Sequence, residues 1–210
     1  MKTKSLLLAV AASLATTIAF GAVSSNIVGY TQISLVTGNN LVANTLDNGS
    51  GNGSHSLFTG LPDQSALFTW NGSSFVVDNF SFGAWDLADP GVALPPGVAL
   101  FVNVPSAASI YFVGQVVQTS KVTIAASPAF SFVGSVLPIA GALDTALGYA
   151  PQEGDAVFTW DAKAQSYVVN NYSFGSWDSG SPQIGIGQGI VIASGSSSAT
   201  TWSQTLPASN

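Results

Sequence analysis

The sequence predicts an all-β protein made of two tandem, pseudo-symmetric units of short antiparallel strands, each folded as a sandwich or a partly open barrel. Three observations predict this fold class. One phrase of sequence occurs twice, short apolar or alternating runs are separated by Gly, Asn and Pro turn signals, and no long amphipathic helix pattern is present. We expect at most one short helical turn in each unit.

The duplicated phrase begins with Phe-Thr-Trp and ends with Phe-Gly-x-Trp-Asp, and it occupies residues 68–86 and again 158–178. The second copy has two additional residues, which fall in the turn after the first Trp, where insertions are tolerated. Similarity around the phrase extends the repeat to about ninety residues. We therefore assign residues 23–117 to the first unit and 118–210 to the second. No Pro- or Ser-rich linker lies near residue 118, which predicts that the units pack closely.

Turn signals and alternation predict about six short strands in each unit. The opening strand, residues 26–35, places Ile33 and Leu35 on its apolar face, and Asn71-Gly72 marks a hairpin. The other segments of the first unit are strands at 41–46, 66–70, 75–77 and 109–116, a Pro-Gly turn that leads into an apolar strand within 94–102, and a helical turn at 57–62. The second unit repeats all of these segments, beginning with the counterpart of the opening strand. Its strands are at 121–125, 130–137, 158–160, 167–169, 186–193 and 199–204, with a helical turn at 142–148.

The first 22 residues are predicted to be a secretory signal peptide. A short positive segment with Lys2 and Lys4 precedes an apolar run that is too short for a membrane span, and small residues at Gly21 and Ala22 suit a signal peptidase. We therefore expect an exported protein, located outside the cell, at its surface or in the periplasm. No membrane span is expected after removal of the signal.

The composition disfavours several partners and cofactors. Only 7% of the residues are charged, Arg is absent, and beyond the signal only Lys121 and Lys163 face ten carboxylates, so nucleic acid and anionic lipid are not expected partners. The absence of Cys rules out disulfides, thiolate catalysis and Cys-ligated metals. The stretch that begins at Asp47 resembles a calcium loop in composition, but Phe58 occupies the twelfth position, where such a loop needs Glu. We expect no metal and no cofactor.

Catalysis is not expected either. His55 is the only histidine, and it ends a polar stretch with three glycines that predicts a mobile surface loop, where a catalytic base could not be held in place. Asp86 and Asp178 occupy equivalent places and would form a carboxylate pair if pseudo-symmetry brought them together. The simpler interpretation is that each Asp caps the turn at its strand end.

The tryptophans divide into two kinds. Trp70 and Trp160 alternate with Phe on a strand face, which predicts core positions. Trp85, Asp86, Trp177 and Asp178 lie at strand ends beside Gly and Asn, a combination that favours sugar binding if the rings are exposed. The alternative is that Trp85 and Trp177 fold back to close the ends of their units, because Trp is mostly buried.

Several motifs resemble a group of uncharacterised exported bacterial proteins with two tandem units of this length. These motifs are the Asn-x-Val-Gly-Tyr opening at 26–30, the Leu-Val-Ala-Asn strand at 41–44, the Gly-x-Trp-Asp phrases at 83–86 and 175–178, and the Pro-Gly step at 96–102. The likeness covers almost the whole chain after the signal. It implies secretion and a β-rich fold, and it implies no activity.

These observations favour a secreted or cell-surface structural or interaction protein without catalytic activity, which associates with itself through strand edges or an apolar patch. The alternative is a carbohydrate-binding module that recognises an extracellular glycan through Trp85, Asp86, Trp177 and Asp178.

Overall fold

The computed structural model of the protein describes residues 27–206, so the predicted signal peptide at residues 1–22 lies outside the described residues. The described chain is almost entirely β-structure, which confirms the predicted all-β class. Within residues 27–206, no helix is of a length and hydrophobicity that would allow it to cross a membrane.

The elements of the first unit are β1 (Val28–Leu35), β2 (Gly38–Ala43), α1 (Ser54–Leu57), β3 (Ser65–Trp70), β4 (Phe75–Ser81), β5 (Ala84–Trp85), β6 (Ala99–Val104) and β7 (Ala108–Gln115). Those of the second are β8 (Thr119–Ile124), β9 (Phe130–Gly134), β10 (Gly141–Ala142), β11 (Ala156–Asp161), β12 (Ser166–Ser173), β13 (Ser176–Trp177), β14 (Gln183–Ile184), β15 (Gly189–Ala193) and β16 (Thr200–Thr205).

Each unit contains one five-stranded antiparallel sheet, and the two sheets have the same succession of strands. The order is β2-β6-β3-β4-β5 in the first sheet and β9-β15-β11-β12-β13 in the second. The first and last long strands of each unit pair separately, β1 with β7 and β8 with β16. A short third pairing joins β10 to β14.

A separate hydrophobic core lies within each unit. In the first, Leu35, Ile110 and Phe112 of the β1–β7 ribbon pack against Leu67 and Leu100 of the five-stranded sheet. In the second, Trp202 of β16 lies fully buried among the equivalent strands, and its indole N–H donates to the carbonyl of Leu147 over 2.8 Å. Alternation on β1 follows the expectation, since Leu35 is buried and Ile33 packs against the core.

The two units pack against each other through a third apolar cluster, and their contacts follow a pseudo-twofold pattern. The Ala43 N–H donates to the Gly187 carbonyl over 2.8 Å, and the equivalent Gly134 N–H donates to the Gly97 carbonyl over 3.0 Å. The backbones approach so closely here that a Cβ added at Gly134 would collide with the Cβ of Ala43. Strands β2 and β6 therefore contact β9 and β15 directly.

The helical turn predicted at residues 57–62 is misplaced, because the helix α1 begins at Ser54 inside the stretch expected to be a mobile loop. The Ser56 and Leu57 N–H groups donate to the Gly53 carbonyl, and Ser54 and Leu57 are buried. In the second unit, residues 142–148 form a hydrogen-bonded turn that ends at Gly148, where φ is +74°. The hairpin predicted at Asn71-Gly72 is confirmed as the connection between β3 and β4.

Candidate functional site

The four residues singled out from the sequence lie at the outer edges of the two sheets. Trp85 is in β5 and Trp177 in β13, the last strands of their sheets, and both indoles are half-buried. Trp85 stacks on the His55 ring with centroids 5.1 Å apart and planes 5° apart. Trp177 donates its indole N–H to Asp144 Oδ2 over 3.0 Å. Each indole packs against the core of its own unit. This packing agrees with the alternative that the two tryptophans fold back to close the ends of their units.

Asp86 and Asp178 make equivalent contacts but are not brought together. Asp86 Oδ2 accepts from the Asn79 side-chain amide over 2.7 Å, and Asp178 Oδ2 accepts from Asn171 over 3.0 Å. The Asn171 hydrogen bond lowers the pKa of Asp178 below its usual value. Because β5 and β13 lie at the ends of their sheets away from the strands that join the two units, the hypothesis of a joint carboxylate pair is wrong.

His55 is firmly held, so the expectation of a loose loop histidine is also wrong. Its Nδ1 lies 2.6 Å from Asp89 Oδ1, its Nε2 lies 2.8 Å from Asp78 Oδ2, and only 9% of its side chain is exposed. Partial burial lowers the pKa of His55, but the hydrogen bonds to Asp89 and Asp78 outweigh it and raise that pKa overall. With both ring nitrogens bound to carboxylates, the imidazole has no free nitrogen for proton transfer to a substrate.

Buried carboxylates are likewise occupied by structural hydrogen bonds. Asp78 also accepts from the Leu87 N–H over 3.0 Å. Asp155 accepts from the Tyr149 hydroxyl over 2.6 Å, from the Gly195 N–H over 2.8 Å and from two further donors. Burial and the hydrogen bond to Asp155 raise the pKa of Tyr149 well above its usual range. Both carboxylates are therefore held by contacts within their own unit.

The most exposed apolar side chains in the described chain are two phenylalanines that the sequence analysis missed. Phe82 and Phe174 are each 98% exposed, and we call this pair the phenylalanine tips. Each occupies the first position of a two-residue turn, between β4 and β5 and between β12 and β13. Each has φ of +51° and precedes a glycine with positive φ, which is the type I′ pattern. The signal that could have found them is the Phe-Gly pair repeated at the same place in both phrases.

Trp70 and Trp160 are not core residues as predicted, because they lie half-buried between the two units. Trp70 donates its indole N–H to the Phe130 carbonyl over 3.2 Å, and Trp160 donates to the Asn39 carbonyl over 2.8 Å. Both bonds therefore cross from one unit to the other. The two tryptophans belong to a network of aromatic rings whose neighbouring centroids are 4.9 to 6.5 Å apart: Phe68, Trp70, Phe75, Phe101, Phe130, Phe132, Phe158, Trp160 and Tyr167.

Two open clefts lie along this aromatic network. The first cleft has a volume of about 320 Å³ and is lined by Trp70, Phe75, Phe130, Phe132, Phe158, Tyr167 and Val191. The second cleft has a volume of about 220 Å³ and is lined by Asn39, Phe68, Phe75, Phe101 and Tyr167. Both share Phe75 and Tyr167, which occupy equivalent places in the two copies of the phrase. The first cleft is almost wholly apolar, whereas the second also exposes polar atoms beside Asn39.

Among residues 27–206, no group of three or more His, Cys, Asp or Glu side chains is arranged to hold a metal ion. No protein-family model matches the chain. Searches of curated proteins and of solved structures likewise find no match.

Proposed function

We propose that the protein is an exported, cell-surface or extracellular structural protein without catalytic activity, which associates with other copies of itself through the phenylalanine tips. The observation that carries this proposal is the near-complete exposure of Phe82 and Phe174 at equivalent turns of the two units. A large apolar side chain with no intramolecular contact gains stability only by leaving water in a complex.

The backbone at the tips strengthens this argument. A type I′ turn favours Asn-Gly, because Asn and Gly tolerate positive φ, whereas a bulky residue in the left-handed region is strained. Both turns nevertheless carry Phe at φ of +51°. A residue that is unfavourable for its turn and makes no packing contact in the monomer is best explained by a contact made outside the monomer.

The rest of the molecule supports a role in association. Only 7% of the residues are charged, so electrostatics opposes association mainly through the net charge of −6, and association has to rest on apolar contact. The short outer strands β5 and β13 do not offer the long flat edge that nonspecific sheet aggregation needs. Specific contacts through side chains therefore explain association better than pairing of sheet edges does.

The test is the oligomeric state of a double variant, Phe82→Asn with Phe174→Asn, measured by sedimentation velocity over a range of concentrations. We expect the unaltered chain to associate and the double variant to sediment as a monomer. The matched control is Val28→Thr with Val113→Thr, which removes exposed apolar surface from the β1–β7 ribbon and should leave association unchanged. If the tip variant associates as strongly as the unaltered chain, the proposal is overturned.

A second candidate function, carbohydrate binding, has one observation in its favour. A depression of about 330 Å³ beside Trp85 is lined by His55, Leu87 and Asp89, so a half-exposed ring and a carboxylate lie together. Titration of soluble oligosaccharides against Trp fluorescence tests this candidate. A change that is lost in Trp85→Phe and kept in Trp177→Phe would support it, and no change with any sugar would exclude it for the sugars tried.

A further inference from the structure

We infer that the two aromatic clefts are the receptors for the phenylalanine tips of a second copy of this chain. This inference rests on the proposed function and adds to it the surface that receives each tip. One chain carries two tips and two clefts, so every tip has a counterpart on another copy.

The two clefts are related to each other by the same pseudo-twofold symmetry that relates the two phenylalanine tips. Phe75 and Tyr167 are equivalent and line both clefts, and Phe68 of the second cleft corresponds to Phe158 of the first. The hairpin tips follow the same correspondence, since Phe82 and Phe174 are equivalent in the phrase. The pseudo-twofold symmetry that duplicates the tip therefore also duplicates the cleft.

The size and chemistry of the clefts fit a phenyl ring. An apolar cavity of about 150 Å³ is enough to bind benzene, and each cleft exceeds that volume. The side chains of Phe75 and Tyr167 are still about two-fifths exposed in the monomer, so a bound ring would cover apolar surface that is now in water. It would also find aromatic edges and faces at the spacing that edge-to-face contacts need.

The charges around the tips and the first cleft are complementary. Glu153 Oε1 accepts from the backbone N–H of Phe174 over 2.6 Å, and the exposed Asp86 and Asp178 follow the strands that leave the tips. Lys121, one of the two lysines of the described chain, lines a cavity that adjoins the first cleft. An acidic tip would therefore approach a first cleft that has a cation beside it, which favours tip-to-cleft over tip-to-tip contact.

The positions of the two lysines follow from their neighbours. Lys121 lines a cavity that shares Trp70 and Phe132 with the first cleft. Lys163 lies two residues before Gln165, whose Oε1 accepts from the Asn39 N–H over 2.8 Å, and Asn39 lines the second cleft. The first cleft therefore has a lysine, Lys121, in the cavity that adjoins it.

A contact of this kind joins different surfaces of the two copies, so it is heterologous and can propagate into a ring or a filament. When a tip of one copy occupies a cleft of the next copy, a free cleft remains at one end of the pair and a free tip at the other end. This geometry suits a structural protein that assembles outside the cell.

The experiment is a complementation of two variants, each studied alone and then mixed. The tipless chain, Phe82→Asn with Phe174→Asn, keeps its clefts, and a cleft-blocked chain, Phe75→Glu with Tyr167→Glu, keeps its tips. We expect each alone to associate at least about tenfold more weakly than the unaltered chain, because the apolar contact is lost. Mixing them should restore assemblies that contain both chains.

The outcomes separate this inference from the proposed function. If the tipless chain still assembles, the proposed function fails. If the tipless chain is monomeric but the cleft-blocked chain assembles like the unaltered one, the function stands and the cleft is not the receptor. If both are monomeric and mixing restores nothing, the inference also fails.

A second measurement avoids any change within the aromatic network, in case the cleft-blocked chain does not fold. Because the chain has no Cys, single thiols can be placed at exposed positions, Ser176→Cys beside a tip and Ser74→Cys beside Phe75 at the clefts. A short thiol crosslinker should join the two variants to each other in preference to joining like with like. A yield of the mixed pair no greater than about twice that of each like pair, which is what random pairing of equal amounts gives, would overturn the inference.

Discussion

At the scale of single residues, two turns of the molecule carry Phe, although their backbone conformation disfavours Phe and would suit Asn or Gly. Phe82 and Phe174 have positive φ and nearly complete exposure, so neither local geometry nor packing accounts for them. Both features depend on the turn type. The repeated Phe-Gly pair could have marked the position of the two turns, but it could not give their type, because Phe is not a usual turn residue.

This yields a prediction for stability. Phe82→Asn and Phe174→Asn should each raise the free energy of unfolding by about 1 kcal/mol, because Asn tolerates the left-handed conformation that strains Phe. Urea denaturation at a concentration where the chain is monomeric measures this change. A loss of stability in both variants would show that the phenylalanines contribute packing that the structure does not contain.

At the scale of elements, contacts between a histidine and two carboxylates fix the helix α1 to two other segments. His55 joins α1 to Asp78 on β4 and to Asp89 in the loop after β5. The polar, Gly-rich sequence before α1 predicted a loop, and sequence could not show that distant carboxylates would fix its only histidine. The substitution His55→Ala should cost about 1–3 kcal/mol, since it leaves the buried Asp78 without its main partner.

The contacts of His55 with Asp78 and Asp89 also predict that the stability of the fold depends on pH. The carboxylates raise the pKa of His55 in the folded state above its unfolded value of about 6.5. Its stabilising contribution is therefore fully present below that unfolded pKa and is lost as the pH rises through the higher folded pKa.

Chemical denaturation at intervals from pH 6 to pH 9 should show stability falling with rising pH in the unaltered chain. The decline should be smaller in His55→Gln, which does not titrate. An identical decline in both chains would assign the effect to other groups.

At the scale of the whole molecule, the two units share an interface that requires close backbone approach. Gly134 packs against Ala43, and Trp70 and Trp160 each donate a hydrogen bond to the other unit. Replacing Gly134 by Val should cost about 1–3 kcal/mol through overpacking at this interface. Gly185→Ala is the control, because the nearest atoms belong to the flexible Gln188 side chain. Thermal unfolding followed by circular dichroism compares the two, and equal effects would contradict the account.

The all-β class, the opening strand and the β3–β4 hairpin were predictable, because alternation and turn residues act locally. The location of Trp70 and Trp160 was not. An apolar face on a strand looks the same in sequence whether it meets its own core or a second unit. The aromatic clefts arise only where the two sheets meet, so no single segment could have indicated them.

The most direct test of the central claim is sedimentation equilibrium of the unaltered chain, from residue 23 onward, at increasing concentration and at low and high salt. The account predicts association that grows with concentration and persists at high salt, because the tips contribute mainly apolar contact. A strict monomer at the highest concentration would contradict it.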